Sequence, residues 1–539
     1  MRVGVDVGGT NTDAVLLGGA GGREVLAVAK RPTTADVTGG ILAALAALLD
    51  ARPDARRPGA VAAVMVGTTH FTNAVVQRQG LVRTAALRLC LPAAESVPPL
   101  EDWPPDLRAA VAGDGGAYLL HGGFEFDGRP ISPPDPDELD RVADRLATEG
   151  VEAVAISGVF APVDASQEEW AAARLRARLP GLDVTLSHEI GRLGLLEREN
   201  AAILNACLAP LARRTIAAFR EAIGRLGLDA RLYLSQNDGT LMTAEYAARY
   251  PVLTFASGPT NSMRGAAFLS GRRDALVLDV GGTTTDGGML VGGFPREASF
   301  EVSVGGVRTN FRMPDVVSIG LGGGSIVADG GQAVGPRSVG YQLTERALVF
   351  GGDTLTATDV AVAAGLACLG DPTRVAALDP AVVAAAHERI RAEIAELVDQ
   401  LKTSAAPVPV VLVGGGSILV EEPIPGAAEV VRPAHAGVAN AIGAAIAQVS
   451  GEIDRIYPLD NGATREGVLA DARAAATARA VEAGADPAAV EIVEVDEIPL
   501  TYLPSNAVRV RVKAAGELRV MSDEGRGETG RGGERETGG

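Results

Sequence analysis

The chain reads as an α/β protein of two lobes, each built around the same short hairpin, and three observations lead to that class. The run Asp-Val-Gly-Gly-Thr-x-Thr-Asp occurs twice, at Asp6–Asp13 and Asp279–Asp286, identical at seven of eight positions. Each copy follows an apolar run, Val3–Val5 or Ala275–Leu278, and precedes another, so each reads as strand, turn, strand. Strand-like and helix-like stretches then alternate along both halves of the 539 residues, a length too great for one core.

A strand that ends in an aspartate and turns through two glycines and small hydroxyls is suited to holding phosphate. Glycine lets the backbone approach closely and turn successive N–H groups toward an anion. The backbone around Gly8, Gly9, Thr10 and Asn11 is expected to cradle phosphates, with the hydroxyls of Thr10 and Thr12 assisting; Gly281, Gly282, Thr283 and Thr284 repeat the set. Asp6 and Asp279, at the strand ends, are the expected ligands of Mg2+, directly or through water. Asp13 and Asp286 also recur. Either acts as a base near the transferred phosphoryl group or pins its own turn, and Asp286 is the stronger catalytic candidate.

The elements follow in order. Strands at Val3–Val5 and Ala14–Leu17 lead to a helix over Ile41–Leu49 and a strand at Ala62–Val66 that ends in Gly67-Thr68-Thr69. Proline-rich loops at 92–105 and 132–136 precede a helix over Asp137–Thr148, capped by Asp137, and a strand over Val151–Ser157. A helical stretch, Gly194–Leu228, contains Pro210 and should be kinked or divided there. Arg231–Ser235 reads as a strand, Pro259 suits the first turn of a helix, and Pro380–Leu401 is amphipathic. Beyond them the pattern gives a helix over Arg465–Glu482 and strands near Val490–Val495 and Ala507–Val512. The expected units are 1–180 and 181–451 as lobes, 452–522 as a small α+β unit, and 523–539 as a disordered tail.

One more motif closes the argument. Pro409–Val413 runs into Gly414-Gly415-Gly416-Ser417, where glycines would let adenosine approach the backbone, and the small-residue stretch Ala439–Ala445 follows. This order resembles the actin-like ATPases, which implies a two-lobed actin-like (ribonuclease H-like) ATPase fold with duplicated phosphate-binding hairpins. Within that superfamily, Gly67–Val75, Phe126–Pro130, Ser187–Gly191, Leu195–Ala201, Ser257–Pro259 and Ser318–Ile326 resemble the hydantoinase A / 5-oxoprolinase family. The resemblance implies ATP as cofactor and an ATP-dependent hydrolase of cyclic amides, with a hydantoinase B-type or other partner subunit. Two alternatives stand behind that reading: the substrate-phosphorylating subunit of a ketone carboxylase, as in carboxylases resembling this family, or a non-enzymatic ATP-driven switch of the actin type. The family's cysteine-bearing Pro-Gly-Pro-x-Cys-Tyr-Gly stretch is replaced here by Val339–Thr344, so hydantoin or 5-oxoproline as the specific substrate does not follow.

Composition narrows the field. A net charge of −18 argues against nucleic acid as partner. No stretch reads as a membrane span, and Met1 opens directly into the first strand, leaving no room for a signal peptide, so the expected location is cytoplasmic. Cys90, Cys207 and Cys368, without short spacing, fit a reducing compartment. Only three lysines occur (Lys30, Lys402, Lys513), none after a glycine, which excludes a Walker-type loop. Five histidines are too scattered for a zinc site. His70 is read as a loop residue or a substrate contact, and His188-Glu189, Glu197 and Glu199 as surface pairs or water-positioning groups. Asn237-Asp238-Gly239 and Gly320–Ser325 stay open between ligand loop and scaffold. Without a Gly-x-Ser-x-Gly elbow, ordinary nucleophilic hydrolysis is not indicated.

Overall fold

In the computed structural model the described residues are 1–8, 11–19, 22–33, 37–113, 115–190, 193–298, 302–457, 459, 464–500 and 507–519. The expected tail, 523–539, lies outside them.

The duplication extends well beyond the octapeptide. In the first half, Glu24–Pro32, Asn11–Gly18 and Arg2–Val7 pair antiparallel, then Ala63–Thr68 and Arg231–Ser235 add in parallel. In the second half, Phe294–Pro295, Thr285–Val291 and Ala275–Val280 pair antiparallel, then Val408–Val413 and Ala427–Val431 add in parallel. Each half therefore carries the same five-strand order, and the hairpin turn sits at the same place in both. This is the two-lobed α/β architecture expected from the sequence.

Helices cover both faces of each sheet. Val37–Ala51 lays Ile41, Leu45, Leu48 and Leu49 on the first sheet, all nearly fully buried. Each such side chain contributes about 1.5–3 kcal/mol relative to exposure. Between the two sheets lie Ser257–Ser270 and Ala439–Ile446, which cross on glycine. A methyl group on Gly443 would collide with the Asn261 carbonyl, and one on Gly265 with that of Ala439. The small-residue stretch thus serves backbone-to-backbone packing, as the sequence suggests. Thr84–Leu91, Ala117–His121, Ala153–Gly158 and Asp183–Leu186 form a separate four-stranded parallel sheet inserted into the first half.

Several expectations change. The first sheet does not stop at residue 180. It takes in Arg231–Ser235 and Leu241–Thr243, then Val449–Tyr457, Val508–Gly516 and Glu491–Pro499, nine strands in all. The boundaries drawn at 180/181 and 451/452 therefore cut through a continuous hydrogen-bonded sheet. Pro210 does not divide its helix, which runs unbroken over Leu195–Arg225. Nearly every residue from Arg198 to Ala209 is buried, and that packing outweighs one lost backbone bond. The same helix is long and apolar enough to cross a membrane by length and composition, contrary to the sequence reading, but most of its apolar stretch is buried inside the protein. The cap of helix Pro136–Thr148 is Asp135, whose side chain accepts from the Asp137 amide.

Candidate active-site cleft

Antiparallel pairing places the two aspartates of each hairpin directly opposite one another: Asp6 against Asp13, and Asp279 against Asp286. Four carboxylates therefore stand at the mouths of two equivalent turns. Asp6 is 6% exposed and Asp13 9%. Asn440, from the central helix, donates its side-chain amide to Asp6 Oδ2 at 3.3 Å. Gly67 leaves room beside it, since a methyl group there would lie 2.5 Å from Asn261 Nδ2 and 3.1 Å from Asp6 Oδ1. Lys30, opposite Asp13 on the neighbouring strand, donates Nζ to Asp13 Oδ2 at 2.8 Å. Three acceptors here are buried with no hydrogen-bond partner: Asp13 Oδ1, Asn261 Oδ1 and Asn440 Oδ1.

The two hairpins lie within electrostatic reach of one another. Burial pushes the Asp6 carboxyl up to about 7, and the charges of Asp13 and Asp279 add to it, against smaller opposing effects of Asn440 and Lys30. Asp286 rises to about 6, again mainly through burial; the Ser318 hydroxyl opposes the rise and Asp279 adds to it. Asp279 and Asp13 are also raised by burial, with Ser262 and Asn440 opposing for the first and Lys30 for the second. The negative field of Asp279 thus reaches both aspartates of the other half. Carboxylates of both hairpins that bear on one another, with Lys30 as the cation acting on three of them, make a setting that favours a further cation.

The turns are braced differently from expectation. Gly8 and Gly281 spend their amides inside the turns, on Asn11 O at 3.0 Å and Thr284 O at 2.8 Å. Among the described residues, no backbone hydrogen bond within the second turn is donated by Gly282, Thr283 or Thr284, whose amides are therefore the phosphate donors it could offer; Gly9 and Thr10 lie outside the described residues. Thr12 does not face a ligand: it is fully buried, with its hydroxyl 3.3 Å from that of Thr33, which itself donates to Gly8 O. Thr285 repeats this inward turn, donating to Leu321 O at 2.7 Å.

Both remaining glycine runs meet the second hairpin. Gly323 and Gly324 donate to Gly281 O and Gly282 O at 3.0 and 2.7 Å, and a methyl on Gly322 would lie 2.6 Å from Thr283 N. The Gly320–Ser325 loop is therefore a scaffold beneath the turn. A side chain at Gly414 would strike Val280 O and Asp279, and one at Gly416 would strike Gly281 O. Of the three only Gly415 has room for a methyl, whose nearest neighbour would be Lys30 Nζ at 4.0 Å.

Other candidates fall outside the cleft or remain local. Ser257 and Gly258 approach the Gly67-Thr68-Thr69 loop, with Ser257 Oγ donating to Thr68 O at 3.2 Å. Asp238 is held down to about 2; burial opposes this, but Lys513 and Thr240 outweigh it. The Asn237–Gly239 loop thus ties the carboxy-terminal strands to the first half. Beside it a cavity of about 150 Å3, lined in part by Asn237, Phe294, Arg312, Gln448, Glu494 and Lys513, includes no hairpin residue. Asn73 donates to its neighbour Thr69, and burial lowers the His70 imidazole. Glu199 is not a surface residue: it is 1% exposed and takes Nε and Nη2 of Arg88 at 2.8 and 2.5 Å. Glu189 pairs with Arg249 and Tyr250, and His188 with Glu168. Among the described residues no three His, Cys, Asp or Glu side chains converge as a closed metal site.

Comparison with known proteins agrees with this layout. Residues 2–179 match the description Hydantoinase/oxoprolinase N-terminal region, and residues 198–367 match Hydantoinase/oxoprolinase. The chain is 29% identical over 431 residues to caprolactamase subunit alpha of Pseudomonas jessenii, covering 73% of this chain and 58% of that protein. It is 26% identical over 286 residues to the acetophenone carboxylase gamma subunit of Aromatoleum aromaticum, covering 51% of this chain and 38% of that one. Among solved structures it shares its fold with the ATP-dependent caprolactamase of Pseudomonas jessenii, at a TM-score of 0.75 and 21% identity over 96% of this chain and 88% of the other. A nucleotide-free acetone carboxylase gives 0.70 and 18%, with the same two coverages. Two matching segments in the expected order, laid over the duplicated hairpins, establish that the chain belongs to the hydantoinase/oxoprolinase family.

Proposed function

We propose that this chain is an ATP-dependent hydrolase of a carbon–nitrogen bond in a small cyclic amide, such as a hydantoin, oxoproline or lactam, or the ATPase subunit of one. The observation that carries the reading is the pair of aspartate-ended glycine hairpins facing one another with four carboxylates and one lysine between them. Identity with a caprolactamase subunit supports the amide class.

An amide resists water because its nitrogen donates into the carbonyl. Bound ATP would supply a phosphoryl group to the carbonyl oxygen, ending that donation and giving the oxygen the character of a leaving group. The chain's own residues fit such a ligand. Gly282, Thr283 and Thr284 offer amides to phosphate, and Gly415 offers an open wall for the nucleoside. Asp6 and Asp279 would hold Mg2+, whose charge would offset the burial and the neighbouring carboxylates that raise Asp6. Without a third protein ligand, the ion would complete its shell with phosphate or water oxygens. Asp286, raised to about 6 and oriented by Ser318, is suited to take a proton from the attacking group. A hydantoinase B-type or other partner would complete ring opening; the relatives above are named as subunits. Three free thiols suit a reducing, cytoplasmic setting.

The test is phosphate release from Mg-ATP by the purified chain against hydantoin, 5-oxoproline, caprolactam and acetone. Stimulation by a cyclic amide is expected, and amide turnover without ATP would sink the coupling. The similarity to ketone carboxylase chains favours a second reading, phosphorylation of a ketone or its enol, which predicts stimulation by acetone and a requirement for bicarbonate.

A further inference from the structure

We propose that Lys30 is the phosphate-binding cation of the cleft, held in reserve by Asp13 until a nucleotide's terminal phosphates displace that carboxylate. The inference rests on the ATP reading above and deepens it.

Four features support the assignment. Lys30 is the one cation, among the described residues, that acts on Asp6, Asp13 and Asp279 alike. Its side chain is 42% exposed, yet Nζ turns toward Asp13 rather than out to solvent. Its Nζ lies beside the exposed Gly415 of the 414–416 loop, 4.0 Å from where a methyl on that glycine would lie. Finally, the residue type is itself informative. This chain uses arginine almost everywhere and lysine three times. An arginine here would grip both Asp13 oxygens in a planar fork; the lysine grips one and leaves Asp13 Oδ1 unpaired. A single-point contact on a flexible stem exchanges partners readily. As a purely structural cross-strand pair, Lys30–Asp13 is an unusual choice, since its lysine end remains solvated and reaches only one of the two buried oxygens.

The exchange has a direction. A phosphate group brings more negative charge and three acceptor oxygens, so Lys30 gains by leaving a single carboxylate for it. Asp13 then loses its ion-pair partner, so the Lys30 contact and the nucleotide contact exclude one another.

Equilibrium binding of ATP and AMP, measured by calorimetry on the full chain, tests this. Lys30→Met is expected to weaken ATP at least about tenfold while AMP shifts by no more than about twofold, because a charge-assisted hydrogen bond to the terminal phosphates is lost. Asp13→Asn, which releases Lys30, is expected to tighten ATP and leave AMP unchanged. In the Lys30→Met background that gain should vanish, a coupling a merely structural pair would not produce. Equal ATP affinity in Lys30→Met and wild type overturns the assignment, as does an Asp13→Asn gain that persists undiminished without Lys30. Should Lys30→Met not fold, Asp13→Asn decides alone: equal shifts for ATP and AMP overturn it. Wild-type protein that binds no ATP fails the parent reading instead, a result separable from the others.

Discussion

Asp6 sits at the end of a buried strand, where burial first and two neighbouring carboxylates second push its carboxyl up, an arrangement that costs stability and that a cation would relieve. Asp6→Asn keeps the shape and removes the charge. Its phosphate release should fall at least about 100-fold, while its melting temperature in metal-free buffer should rise by a few degrees. Calorimetry beside a phosphate assay checks both, and unchanged turnover would remove Asp6 from the site. Asp6 and Asp279 were legible because the octapeptide repeats. Lys30 and Asn440 were not, because their roles depend on partners 17 and 434 residues away. Thr12 reads as a phosphate contact in the octapeptide, but strand alternation decides otherwise: once Asp13 faces the cleft, its neighbour must face the core. Glu199 looked like a surface charge because nothing nearby in sequence announces its partner, Arg88.

The glycine run 414–416 reads in sequence as three equal contributors to a nucleotide contact, and the element divides them. Gly414 has a φ of 84° and abuts Asp279, Gly416 abuts the second turn, and only Gly415 is open. Gly415→Ala should therefore fold as wild type does, whereas Gly416→Ala should displace the hairpin and destabilise the chain by about 1–3 kcal/mol, read as a lowered urea midpoint. The Asn237–Gly239 loop offers a pH experiment. Against its burial, Lys513 and Thr240 hold the Asp238 carboxyl down to about 2 in the folded chain, below the ordinary carboxylate range that it regains on unfolding. The unfolded chain thus binds the proton more readily, and the stability contributed by the Lys513 pair is fully present above about pH 4 and lost as pH falls toward 2. Asp238→Asn should flatten that part of the acid-unfolding curve; an unaltered curve would mean that the pair contributes nothing. Helix and strand positions were largely legible from periodicity, as in Arg231–Ser235, Pro380–Leu401 and Arg465–Glu482, which coincide with the observed elements. Pro210 was over-read, because the burial around it is a tertiary fact.

For the whole molecule, sequence order proved a poor guide to what belongs together. Strands from residues 231–243 and 449–516 complete a sheet that begins at residue 2, and no local pattern announces that return. A chain ending before Val449 would leave Leu241–Thr243 as a sheet edge and strip Val510, Val512 and Ala514 from their core. Such a truncation should aggregate or melt far below the full chain, as light scattering during a thermal ramp would show. A truncated protein that kept its melting temperature would restore 452–522 as an independent unit. The crossing of the two central helices carries a last consequence. Asn261, Ser262 and Asn440, which face the carboxylates, ride on those helices, and Gly265 and Gly443 fix how closely the helices meet. Because backbone rests on backbone, no side chain there can yield to added bulk. In variant interpretation, then, a Gly265 or Gly443 missense change should score with the aspartates as loss of function, though neither glycine borders the cleft.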